Sequence, residues 1–441
     1  MSALDLTLLP AYLKEQRWFS GKAAAVKNIS LIEAMDFTPT LERPMVVAVA
    51  QVTYELGHPE VYLVPVTTDD QGQLRDALDE PSLARFLLNV VINGEQITSG
   101  AGLFRGEPIG AGDVFQTLGK EPRVRQSGVE QTNTSIVFDD KLMFKIIRKL
   151  QPGMNPELEV GRFLATRTNF RATPTLLGSL QLDGPVVATA GLLHRYIRNA
   201  RDGWKYLTEA LSKSEVPPSQ VLGEVEAMGR CVAQLHLALG SDLEDPAFAP
   251  EPILQEDLQR WSSSIIGELG VTLALATPSF PSLPERRDAL LERAQRLARV
   301  SASGLKIRQH GDLHLGQIII GDAGWLIIDF EGEPARSFDQ RRDKHSPLRD
   351  VAGMLRSFSY ASTAAGLTGS AKLSATRAAR EFFLRGYREG MKGSPLLPAS
   401  EETFNVLLDA LELEKALYEV RYELQTRPDW AYIPVESLLP S

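Results

Sequence analysis

Two polar loops set among short apolar runs constrain this chain more than any other feature. RQHGDLHLGQIII occupies residues 308–320, and WLIIDFEGEP follows at 325–334. Short runs of Ile, Leu and Trp between turn residues read as strands, here IRQH and then QIIIGD with WLIID. Each strand delivers polar residues at its end, and loops held by rigid strand ends are where chemistry tends to sit. The expectation is a compact site built from His310, Asp312, Gln317 and Asp329.

The spacing has a chemical reading. An Asp followed five residues later by an amide side chain, then by an Asp closing a hydrophobic strand, matches the catalytic and metal loops of kinases. In that scheme Asp312 accepts the proton of an attacking hydroxyl. Gln317 and Asp329 hold Mg²⁺, which prefers oxygen ligands and keeps several waters. Gln317 stands where Asn is usual; the extra methylene keeps the amide oxygen and changes its reach. His310 reads as a residue that packs and hydrogen-bonds to fix the loop. His314 reads equally as structural or as facing a substrate.

A catalytic loop of this kind requires a phosphate-binding half. No Walker A run is present, and GAGDVF at 110–115 has Phe115 where a dinucleotide fingerprint needs its third Gly. What remains is a hairpin over 122–150, with its strands joined by an Asp139-Asp140 turn. Within it Gln131, Thr132, Asn133, Thr134 and Ser135 offer small polar side chains and backbone N–H groups suited to covering phosphates. Lys145 lies inside the apolar strand LMFKII, where an unpaired charge is costly to bury. It either pairs with Glu159 or Glu157 on the following helix, or points to solvent from an edge strand. That helix is announced by NPELEVGRFLATR, with Asn155 as N-cap and Pro156 at the first helical position.

The rest of the chain divides into a β-rich half and an α-rich half. Segments 28–36, 45–56 and 60–67 read as strands and 81–92 as a helix, and the Gly-rich text from 94 to 112 reads as a boundary. Strand signals return at 175–181 and 185–197. From about residue 204 the text is mostly helical, with 282–300 and VLGEVEAMGRCVAQLHLAL as bundle helices. The divisions expected are 1–92, 93–200 and 201–441, in an α+β fold.

Composition excludes several classes. No apolar run approaches the roughly 18 to 20 residues of a membrane span. The single cysteine, Cys231, cannot form an intramolecular disulfide, and the N-terminus lacks the pattern of a secretory leader, so a reducing cytoplasm fits best. A formal net charge of −9 argues against nucleic acid or an anionic membrane as partner. Small-molecule ligands are expected.

Taken in order, QRWFSGK, EQTNTS with its lysine strand, NPELEVGRFL, QHGDLHLGQ, IDFEGEPAR, SPLRDVAGMLRSF and RPDWAYIPV resemble bacterial maltokinases. These belong to the aminoglycoside phosphotransferase-like branch of the protein-kinase-like fold, and the likeness spans nearly the whole chain. It implies a bilobal fold with a cap subdomain, an intermediate subdomain and a helical C-lobe. It also implies phosphorylation of maltose by ATP at the anomeric hydroxyl, for α-glucan synthesis, often coupled to trehalose synthase. Asp312 is then the base, Gln317 and Asp329 the magnesium ligands, Lys145 the nucleotide-phosphate contact, and Thr132 to Ser135 the phosphate-covering loop. Glucosamine kinases resemble the same text, and an aminoglycoside-type phosphotransferase or a non-catalytic partner of trehalose synthase are the other readings.

A sugar site needs polar groups for hydroxyls and aromatic faces for rings. Lys415, Tyr418 and Tyr422 fall on one face of a helix, with Glu419 and Glu423 adjacent. The alternative for such tyrosines is packing. Glu331 and Arg336, beside the metal loop, are further candidates, with ion pairing as their alternative. Asp350, heading the apolar run of SPLRDVAGMLRSF, is expected to cap or brace the catalytic loop.

Overall fold

The computed structural model describes residues 4–37, 41, 43–110, 113–127, 133–213, 217–334 and 336–439, with the side chains of Ser20, Ala23 and Phe338 excepted. The chain falls into two compact units, Met1–Arg167 with Pro174–Arg198 and Thr168–Thr173 with Asn199–Ser441. Among the described residues no helix is long and apolar enough to cross a membrane.

The first unit holds two antiparallel sheets. Its strands are β1 (Val26–Asp36), β2 (Met45–Tyr54), β3 (Glu60–Thr68), β4 (Leu74–Asp76), β5 (Gln96–Ser99), β6 (Gly102–Pro108), β7 (Val124–Ser127), β8 (Asn133–Phe138), β9 (Leu142–Ile147), β10 (Lys149–Leu150), β11 (Leu176–Asp183) and β12 (Ala188–Arg195). One sheet runs β1-β2-β3-β10 with β4 also on β3; the other runs β5-β6-β11-β12-β9-β8-β7. Strand β2 is buried on both faces because its residues alternate between two cores. Met45, Val47 and Val49 join the helix Pro81–Asn93 and the second sheet. Val46, Ala48, Ala50 and Val52 meet the N-terminal helix and the Trp18 and Phe19 of QRWFSGK. The Arg148 guanidinium lies 4.6 Å over the Trp18 ring and pairs with Asp76.

Two stretches differ from the sequence reading. The Gly-rich text at 94–112, read as a boundary with no strand in it, carries β5 and β6, a hairpin that opens the second sheet. One of its glycines serves close packing, since a Cβ on Gly106 would collide with the Val90 carbonyl of the Pro81–Asn93 helix. The text before Asp139 forms two strands, β7 and β8, where one was expected. Asp139 and Asp140 do turn the chain, both left-handed at φ 51° and 52°, and with Lys141 they join the paired Phe138 and Leu142.

The second unit is mainly helical: Gly203–Ser212, Ser219–Leu239, Gln255–Ala276, Arg287–Leu297, Leu348–Ala364, Gly369–Gly390 and Glu401–Thr426. Set among these helices is the strand pair Ile318–Gly321 and Gly324–Ile327, flanked by Arg201–Asp202. The expected strand IRQH is shorter than read. Leu305–Lys306 is a strand and Ile307 bridges to His345. Beyond that point the His310 amide turns to a side chain, which ends the ladder.

Candidate active site

The loop His310–His314 is fixed from beneath. Asp350 is 2 % exposed on the Leu348–Ala364 helix, and its two oxygens accept the backbone N–H of His310 and of Gly311, each at 2.9 Å. His236 Nε2 lies 3.1 Å from the same carboxylate, and the Tyr387 hydroxyl lies 2.9 Å from His236 Nδ1. Burial works against charge on Asp350, but the His236 bond and the Gly311 amide outweigh it and hold its carboxyl below the usual range. The helix can approach this closely because residue 353 is glycine; a Cβ there would strike the Leu313 carbonyl.

His310 ties the two loops together. Its Nε2 donates to the Ile328 carbonyl at 2.8 Å, its Nδ1 faces the Asp312 amide at 3.4 Å, and its ring lies 5.0 Å from that of Phe330. Gln317 Nε2 donates to Asp329 Oδ2 at 3.0 Å, so the amide oxygen remains as a hard donor beside a carboxylate. Asp329 itself has φ 67°, a left-handed conformation that is uncommon outside glycine and costs roughly 1–3 kcal/mol. This turn re-aims the chain as it leaves the strand Gly324–Ile327. The pair fits a magnesium ion by donor type: a carboxylate and a neutral amide oxygen, with the remaining positions left to water and phosphate.

Asp312 is met from across the unit by the Lys415 ammonium, 3.0 Å from Oδ1, and Lys415 also lies 3.2 Å from Glu333 Oε1. Burial opposes the Asp312 charge, yet Lys415 holds its carboxyl below the usual range. His314 caps the turn Leu315–Gln317, its Nδ1 accepting the Gly316 N–H at 3.0 Å. Burial keeps its ring neutral, so the proton sits on Nε2.

Beside Asp312 lies a cavity of about 710 Å³, a size typical of small-molecule sites. Trp204, Tyr360, Tyr418, Tyr422 and Trp430 give it an aromatic wall, and Asp312, His314, Lys415, Glu419 and Glu423 give it polar groups. Every carboxylate on this wall already has a cation. Asp312 has Lys415, Glu419 has Arg356 at 2.8 Å, and Glu423 has Arg427 at 2.7 Å.

In the first unit, Lys145 is interior rather than on an edge, because β9 lies between β12 and β8. Alternation places Phe144 and Ile146 in one core and turns Lys145 with Ile147 to the face covered by the helix Pro156–Arg167. Its partner is Glu157, at 2.8 Å, with His194 3.6 Å from the other oxygen of that carboxylate. Of the two glutamates open in the sequence, Glu159 lies two residues on and therefore on a different side of the helix. Asn133, Thr134 and Ser135 begin β8 and are strand rather than loop; Ser135 is buried, and the Thr134 hydroxyl accepts from Arg148 Nε at 2.9 Å. Gln131 and Thr132 lie outside the described residues.

The structure thus brings together Asp312, His314, Lys415, Tyr418 and Tyr422 on one cavity, and Gln317 with Asp329 beside it in sequence and hydrogen bonding. Glu331 and Arg336 are not on that wall. Arg336 is held by Glu333 at 2.7 Å and by Glu414 at 3.4 Å, the ion pairing that was its alternative. Sequence reasoning missed Trp204, Tyr360, Trp430 and Glu333. The last two sit in stretches that carried the resemblance, RPDWAYIPV and IDFEGEPAR, which was the signal available.

Comparison with known proteins agrees with this architecture. Residues 12–83 match the family model described as the maltokinase N-terminal cap domain. The chain is 25 % identical over 396 residues to a glucosamine kinase of Streptacidiphilus jiangxiensis, covering 86 % of this chain and 85 % of that one. It is 28 % identical over 329 residues to a glucosamine kinase of Mycolicibacterium smegmatis, covering 71 % and 78 %. A solved glucosamine kinase in complex with glucosamine, ADP and inorganic phosphate superposes with a TM-score of 0.67 at 22 % identity, covering 95 % of each chain. The fold is α+β and protein-kinase-like, with β-sheets in the N-terminal part, a helical C-terminal part and a maltokinase-type cap.

Proposed function

We propose that this protein is an ATP-dependent sugar kinase whose acceptor is maltose, phosphorylated at the anomeric hydroxyl to give maltose 1-phosphate and ADP. The observation that carries the reading is the aromatic cavity ending on Asp312. Its wall offers flat faces for the apolar sides of pyranose rings, and its volume admits two linked rings. The relatives named glucosamine kinase favour a second reading, an amino-sugar acceptor. An ammonium group needs a carboxylate to meet it, and the three on this wall are already paired with Lys415, Arg356 and Arg427. A neutral acceptor fits that charge balance better. In keeping with the reading, residues 1–92 are assigned to a cap subdomain, 93–200 to an intermediate subdomain and 201–441 to the helical lobe. The product would serve α-glucan synthesis, and coupling to trehalose synthase is part of the same proposal.

Phosphoryl transfer calls for alignment and charge neutralisation more than covalent participation by the protein. Asp312 would orient the acceptor hydroxyl and take its proton. His314, neutral and protonated on Nε2, can donate to the acceptor but cannot serve as a cation. Lys145, held by Glu157, would contact the nucleotide phosphates. Gln317 and Asp329 would hold Mg²⁺, which when bound offsets phosphate charge.

The test is direct. With ATP and Mg²⁺, a panel of maltose, glucose, glucosamine and an aminoglycoside is expected to give the largest rate of ADP release with maltose, and mass analysis should identify maltose 1-phosphate. Faster phosphorylation of glucosamine would replace maltose with the second reading. No phosphorylation of any sugar would instead favour a non-catalytic partner. A further expectation concerns the wall: Trp430→Ala should raise the acceptor KM roughly tenfold, about 1.4 kcal/mol, and leave the nucleotide KM unchanged. An unchanged acceptor KM would remove Trp430 from the site.

A further inference from the structure

Lys415 was expected to touch the acceptor, but its geometry is that of a brace. The ammonium sits between Asp312 Oδ1 at 3.0 Å and Glu333 Oε1 at 3.2 Å, and lies 4.8 Å from the centre of the Tyr418 ring. Glu333 is fixed in turn by Arg336 Nε at 2.7 Å. Arg336 reaches Glu414 at 3.4 Å, and Glu414 accepts from Arg349 at 3.0 Å. Charges alternate along this chain of six side chains without a break. It begins on the Asp312 carboxylate and ends at Arg349, the neighbour of the Asp350 that holds the backbone of the same loop.

We propose that Lys415 is a positioning residue for Asp312: with Glu333 behind it, the ammonium fixes the rotamer of the carboxylate and leaves Oδ2 to face the acceptor hydroxyl. The inference rests on Asp312 being the group that receives the acceptor proton. Three physical points support it. Asp350 fixes only the main chain of the loop at residues 310 and 311, so the Asp312 side chain needs a holder of its own. Lys415 lines both the aromatic cavity and a second, polar cavity of about 290 Å³ that includes Glu333, Arg336 and Glu414. A side chain held between two carboxylates from the polar side has little freedom left to follow a sugar. Finally, burial disfavours charge on His314, whereas the Lys415 ammonium lies in direct contact with the Asp312 carboxylate at 3.0 Å.

Kinetics of Lys415→Met, Lys415→Arg, Glu333→Gln and the Met/Gln double variant test this, with Asp312→Asn as reference. Misplacing a reacting group by about 1 Å costs on the order of 10²-fold, so Lys415→Met should lower kcat by about that factor while both KM values stay within about threefold. Lys415→Arg should recover about tenfold of the loss. Glu333→Gln should lower kcat by about tenfold alone and add nothing in the Lys415→Met background, because its effect runs through the lysine. An acceptor KM that rises while kcat holds would make Lys415 a substrate contact and overturn the proposal. So would fully additive losses in the double variant. If Lys415→Met does not fold, Lys415→Arg and Glu333→Gln decide the matter: native turnover in both overturns it. Native turnover in Asp312→Asn would bring down the underlying reading, whereas loss there with native kinetics in the lysine variants brings down only this inference.

Discussion

Asp312→Asn is expected to lower turnover by roughly 10²- to 10⁴-fold, the range that a positioned acid or base contributes, and to leave nucleotide affinity nearly intact. Asparagine matches the shape of the carboxylate and occupies the same place on the cavity wall, so the acceptor should still bind. What would be lost is the oxygen proposed to take the proton, together with the negative charge opposite Lys415. The pairing with Lys415 keeps Asp312 ionised, because its carboxyl lies below the usual range despite its burial. A carboxylate whose affinity for protons is lowered is a weaker base in the ground state. That is no obstacle for phosphoryl transfer, in which the hydroxyl becomes acidic only as the bond to phosphorus forms, and orientation matters more than base strength. Protonation of Asp312 would occur only below the ordinary carboxylate range, so as pH falls toward that range no acid limb of kcat should arise from this residue in the wild-type enzyme. Steady-state ADP release with a saturating sugar acceptor, together with calorimetric nucleotide titration, measures both expectations. Turnover within tenfold of wild type would dismiss Asp312 as the proton acceptor.

The parts of this site that were legible in the sequence are those whose geometry is local. Asp312, Gln317 and Asp329 lie on two loops joined by a two-stranded turn, so their spacing along the chain nearly dictates their spacing in space. Lys415, Tyr418 and Tyr422 share a wall because helical periodicity puts them there. Other contacts depend on how distant segments pack, and spacing carries no record of that. Trp204 and Tyr360 come from helices separated by more than a hundred residues, and each reads alone as an ordinary core aromatic. The Lys145 partner was narrowed to two glutamates but not to one, since the phase of a helix relative to the sheet it covers is set by tertiary contacts such as Leu158 with Ile147 and Leu176. The β5–β6 hairpin was concealed because glycine signals both a loose linker and a strand pressed against a helix backbone, and only the neighbour, here Val90, tells the two apart.

Asp329 should govern the metal rather than the acceptor, and its substitution is expected to weaken magnesium-dependent nucleotide binding by about 10²-fold or more, the scale of several kcal/mol that a bound metal contributes to phosphate charge stabilisation. Alanine is an ambiguous probe by itself, because φ at residue 329 is 67° and a side chain that dislikes this region adds strain to the loss of a ligand. Asparagine resolves the ambiguity. It tolerates the left-handed conformation and can keep a hydrogen bond to Gln317, so Asp329→Asn removes the charge while retaining the turn. If Asp329 is a metal ligand, both variants lose affinity for the magnesium nucleotide, and both bind the metal-free nucleotide as the wild type does. If the residue serves only to shape the turn, Asp329→Asn stays near wild type and Asp329→Ala alone suffers, in turnover and in thermal stability together. Titrations of ADP with and without magnesium distinguish these outcomes, and addition of a chelator to the wild-type enzyme should reproduce the variant phenotype. Equal magnesium dependence in wild type and Asp329→Asn would leave Gln317 without a partner for the metal. The His310 and Gln317 hydrogen bonds between the two loops would then be a fold contact rather than a site.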